Sequence, residues 1–155
     1  MSLLGNIHGY IGYVRHIRGH WEKALSHYEK GYRRGMGYRF HLGYGLGLLR
    51  AGDFAGAKEI FSRILLSKAP DTIRSHAKYN QGLVYWKLGR IEDAHDSMEE
   101  AFQKTPSAKS YGALGYFKIL RGDLADALKF NEKALAYDDE DPVILDNLGM
   151  VYYEM

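Results

Sequence analysis

The sequence predicts an all-α fold built of stacked helical hairpins, and three observations carry that expectation. Gly19, Gly52, Gly89 and Gly122 recur at spacings of 33, 37 and 33 residues. Five residues after each stands an alanine: Ala24, Ala57, Ala94 and Ala127. Seven residues before each stands a second glycine, at Gly12, Gly45, Gly82 and Gly115, and that column has a fifth copy at Gly149. A period of roughly 20–50 residues marks a chain in which one supersecondary unit is repeated and each copy buries its apolar face against the next.

Taken in order along a unit, each column has a physical reason. The unit reads as two helices of about 14 residues joined by a short turn. The first helix ends on an apolar residue followed by the turn glycine, as in Leu120-Arg121-Gly122. Glycine reaches the left-handed conformation that closes a helix more cheaply than other residues. Asp53 and Asp123 follow as N-cap residues of the second helix. The earlier glycine lies inside the first helix, where it costs about 1 kcal/mol against alanine. Repeating it implies close packing, and the simplest partner is the alanine column of the facing helix. The spacing of 37 fits one extra turn, Asp71-Thr72-Ile73-Arg74, opening the third unit. The run Asp138-Asp139-Glu140-Asp141 precedes Pro142 and reads as a connection that sets acids at the next helix's N-terminus.

These motifs resemble the tetratricopeptide repeat (TPR) family: Leu148-Gly149-Met150-Val151-Tyr152 in a first helix, Gly122-Asp123-Leu124-Ala125-Asp126-Ala127 followed by Ala134, and Gly52-Asp53-Phe54-Ala55-Gly56-Ala57 followed by Phe61. The resemblance implies a right-handed α–α superhelix of about four and a half TPR-like hairpins over residues 1–155 as a single domain. Its repeats are 5–37, 38–74, 75–107 and 108–141, then a half-repeat, 142–155. Two features depart from the family pattern. His8, His41, Lys78, Tyr111 and Leu145 stand where a tryptophan is usual. The closing proline is present only as Pro106, with Pro70 and Pro142 displaced. The last helix is expected to expose Val143, Leu148, Val151 and Tyr152. The chain therefore reads as a piece of a longer protein, or as one that pairs with its own copies through 142–155.

Chemistry-bearing patterns are sparse. There is no cysteine, which excludes disulfides and thiolate chemistry. No apolar run has the length of a bilayer span, and Met1-Ser2-Leu3-Leu4 does not open a secretory leader. His16 and His20 have a metal-ligand spacing, but Gly19 ends the helix between them. The acidic run at 138–141 lacks the spaced ligands of a calcium loop. Gly43, Gly45 and Gly47 are followed by no Lys-Ser/Thr pair, so they do not form a phosphate loop. The reading is a binding protein and not an enzyme, without metal or cofactor, in the cytoplasm and without membrane contact.

In the TPR family the first helices line a concave groove, and the resemblance places specific side chains there. The ninth positions are Tyr13, Leu46, Leu83, Tyr116 and Met150, and the twelfth are His16, Leu49, Trp86, Ile119 and Tyr153. Residues three apart share a helix face. Arg39, Arg50, His76, Lys87 and Lys109 supply a basic rim, with Tyr79 and Asn80 beside them. The aliphatic members serve equally well as packing between helices. A carboxylate clamp of the kind some relatives use is not supported: only Asn80 and Lys109 match it, and Leu42, Leu46 and Ala113 hold the other places.

The groove would suit a protein or peptide segment with apolar and acidic residues. Charge agrees at the front of the chain, where residues 1–50 carry 8 Lys/Arg against 2 Asp/Glu. The alternative of single-stranded RNA on the Tyr-rich basic third is opposed by residues 51–155, with 13 basic against 17 acidic side chains. Nucleic acid is therefore not the expected partner.

Overall fold

The computed structural model describes residues 1–155 and contains nine α-helices and no strand. They are α1 Leu3–Ile17, α2 Trp21–Arg33, α3 Tyr38–Arg50, α4 Phe54–Leu65, α5 Asp71–Lys87, α6 Ile91–Lys104, α7 Ala108–Leu120, α8 Leu124–Tyr137 and α9 Pro142–Glu154. The chain divides into two compact units, Met1–Val84 and Tyr85–Met155. In the first, α1 packs on α2 and α3, and α3 on α2 and α4; in the second, α7 packs on α6, α8 and α9.

The turn glycines act as anticipated. Gly19, Gly52, Gly89 and Gly122 all have φ between +73° and +82°. At the first, Gly19 N–H donates to His16 O at 3.0 Å and His20 N–H to Arg15 O at 2.9 Å. That pair of bonds satisfies two carbonyls that the end of α1 leaves open. Gly52/Asp53 and Gly89/Arg90 repeat it. Asp53 Oδ1 then accepts from Gly56 N–H at 2.9 Å, and Asp123 Oδ1 from Asp126 N–H at 3.3 Å. Replacing either aspartate with alanine should lower stability by about 1 kcal/mol in a thermal melt. Asp141 caps α9 by accepting from Val143 and Ile144 N–H, with Pro142 opening the helix. The extra turn of α5 is present, since it has 17 residues where α3 and α7 have 13.

Two expectations need correction. The atoms nearest the interior glycines belong not to the alanine column but to the residue one helical turn beyond it. A Cβ at Gly12 would strike Tyr28 at 2.8 Å, one at Gly45 would strike Phe61 at 2.5 Å, and one at Gly115 would strike Asn131. Each of these partners follows its alanine by one helical turn and is buried. The glycine is thus a socket for a large side chain, and the buried alanine lets that helix come close enough to fill it.

The second correction concerns α9. Val143 and Tyr152 are exposed, at 51% and 62%, but Leu148 and Val151 are buried, Val151 against Ile119 and Ala127. These two lie on the inner face of α9, which already has α7 and α8 to pack on.

Candidate protein-interaction surface

Within the first unit, α1 and α3 present Tyr13 and Arg39 to solvent. Leu46 is half-buried and packs on the cluster of Ala57, Phe61, Ile64 and Val84, so it serves the core as well as the surface. Arg50 turns onto the indole of Trp21, its guanidinium carbon 4.4 Å from the ring centroid. The His16 ring lies on the same indole at 4.2 Å and edge-on to Tyr28 at 6.3 Å. On α5, His76 is exposed and Leu83 half-buried. Burial pushes the Tyr79 hydroxyl up to about 12. Asn80 is buried, and its amide donates to His76 O at 2.8 Å, so that nitrogen is committed to the helix backbone.

The second unit brings three of the anticipated residues together. Trp86 and Tyr116 are half-buried and meet edge to face, with ring centroids 6.1 Å apart and an interplanar angle of 82°. Behind them Trp86 touches the buried Phe117 at 6.2 Å, which anchors the indole. The exposed Lys87 places its ammonium 4.4 Å from the Trp86 ring centroid. Lys109 is exposed on the first turn of α7. Ile119, which shares the register of Trp86, is core.

Register alone missed the His16–Trp21–Arg50 stack. Trp21 opens a second helix, and Arg50 is 29 residues away, so no local spacing links them. It also missed a cluster in which Tyr32 meets His41 and Tyr44, each at 5.3 Å, with Arg63 above it at 5.8 Å.

Three histidines of the first unit make a pH prediction. Burial lowers the pKa of His16, helped by Arg50; of His27, helped by His8, Lys30 and Arg15; and of His41, helped by Arg63 against an opposing hydrogen bond with the Met36 backbone. The folded state thus prefers neutral imidazoles. Their contribution is complete above the unfolded value of about 6.5 and is lost as pH falls through the lowered folded values. Melting temperature should fall as pH drops below about 6.5, and a His16→Gln/His27→Gln/His41→Gln triple variant should flatten that slope.

The tetratricopeptide repeat pattern matches residues 18–72 and again 79–142. The chain belongs to the tetratricopeptide repeat family. The TPR fold agrees with solved structures. MamA from Desulfovibrio magneticus RS-1, from residue 41 to its end, superposes with a TM-score of 0.77 at 21% identity, over 99% of this chain and 86% of that one. YrrB, a TPR protein with an unusual peptide-binding site, gives 0.73 at 18% identity, over 94% and 75%.

Among curated proteins, the BBSome complex member BBS4 of Mus musculus is 27% identical over 107 residues. That is 69% of this chain and 20% of the relative, so this TPR chain spans about a fifth of the length of the protein it matches. No helix is long and apolar enough to cross a membrane.

Proposed function

We propose that the chain is a protein-interaction scaffold that holds an extended or helical segment of a partner against the first helices of its hairpins. The observation that carries this reading is the Trp86–Tyr116 pair with Lys87 over the indole. Large aromatics half out of the core, braced from behind and flanked by a cation, are what binding hot spots are made of. Within the first unit Tyr13, Leu46 and Leu83 supply apolar surface and Arg39, Arg50 and His76 a basic rim, with Tyr79 and Asn80 beside them; in the second unit Lys109 adds a further cation. Membership in the TPR family supports the reading, as does the likeness to a peptide-binding TPR protein. The partner segment combines apolar side chains with acids, and part of its ordering cost falls at binding.

Selection of peptides from a random library on the immobilised protein tests this. Enrichment of apolar residues beside Asp or Glu is expected. Selection of no sequence class, or of basic segments, contradicts the reading.

A further inference from the structure

We infer that the cleft between the start of α2 and the end of α3 is a second docking point, which takes an acidic side chain and its apolar neighbour from a partner protein. The inference rests on the scaffold reading but concerns a different place, beside the hairpin turn that opens α2, and shares only Arg50 with the first-helix surface. The cleft has a volume of about 530 Å³, and its walls include Trp21, Lys23 and Leu25 from α2 and Gly47 and Arg50 from α3.

Arg50 is the centre of the argument. Unlike Arg33 and Arg63, which pair with Glu29 and Glu59, it has no carboxylate partner. It is held instead over the Trp21 indole, which His16 braces in turn. A guanidinium resting on an aromatic ring makes no hydrogen bond there and keeps its N–H donors for a carboxylate, and fixing it beforehand reduces the entropy lost on binding. His20 and Lys23 add basic groups to the walls, against the single acid Glu22. Beneath them Leu25 and the bare backbone of Gly47 form an apolar floor. A side chain at position 47 would crowd it, since a Cβ there comes within 3.0 Å of Leu25 Cδ1. The excess of basic residues before position 51 draws acidic segments toward this end of the chain.

The test uses an N-acetylated peptide with a central leucine flanked by Asp and Glu, and its Asn/Gln counterpart. Both are titrated into ¹⁵N-labelled protein while the Trp21 indole and Gly47 amide signals are followed. The acidic peptide should shift both signals, and its amide counterpart should bind roughly tenfold more weakly. Arg50→Ala should weaken the acidic peptide by a similar factor. Lys23→Glu, on an exposed residue that leaves the Trp21 stack intact, should weaken it roughly fivefold. Trp86→Ala should leave these shifts in place.

Equal binding of the two peptides, or wild-type affinity in both cleft variants, overturns the inference. Shifts confined to the surroundings of Trp86 and Tyr116 overturn it too while leaving the scaffold reading standing. Absence of shifts anywhere removes both.

Discussion

Gly45→Leu should destabilise the protein by about 3 kcal/mol, a fall in melting temperature of roughly 6–12 °C at this chain length. Even the first carbon of a side chain at position 45 would lie 2.5 Å from Phe61 Cε1 and 2.7 Å from Cζ, and Phe61 is fully buried with no room to withdraw. Gly45→Ala should therefore also lose stability, although alanine is the better helix former by about 1 kcal/mol. Gly149 is the control, because it occupies the same place in its helix and a Cβ there meets nothing within 4 Å. Gly149→Ala should stabilise by about 0.5–1 kcal/mol. Thermal melts of the three variants decide the matter. Equal effects of alanine at 45 and 149 would mean that the glycine column is not a set of sockets.

Trp86→Ala should cost about 2 kcal/mol or more of affinity for a selected peptide, chiefly through faster dissociation. The same substitution should lower stability by only about 1–2 kcal/mol, since the indole is half-buried and only part of it rests on Phe117. Lys87→Glu should slow association instead, and added salt should shrink that effect, because exposed charges steer a partner more than they hold it. Interferometry at two salt concentrations separates the two rates. Wild-type dissociation from the Trp86→Ala variant would remove the aromatic pair from the binding surface.

The hairpin organisation was legible in the sequence because its cause is local. A left-handed turn needs glycine, a helix start favours aspartate, and both recur in register at Gly52-Asp53 and Gly122-Asp123. Whether a side chain on a first helix faces solvent or a neighbouring helix was not legible, because register gives a direction and not what lies there. Tyr116 and Ile119 stand three residues apart, yet one is half-buried at the surface and the other is enclosed by Ala127 and Val151. The same limit made Leu148 and Val151 look like an open end. The interior glycines mark sites of close approach, but their partners do not stand out, because the one register position that Tyr28, Phe61 and Asn131 share holds aromatic rings in two repeats and an amide in another. The Trp21–Arg50 stack joins two hairpins and leaves no periodic trace.

The most direct test of the scaffold account is an amide and indole shift map of the labelled protein with a library-selected peptide. The account predicts the largest shifts at Trp86, Lys87 and Tyr116 on the first helices, with attenuation in Trp86→Ala. Shifts concentrated on the outer residues of α4, α6 and α8, with those first-helix signals unmoved, would contradict it.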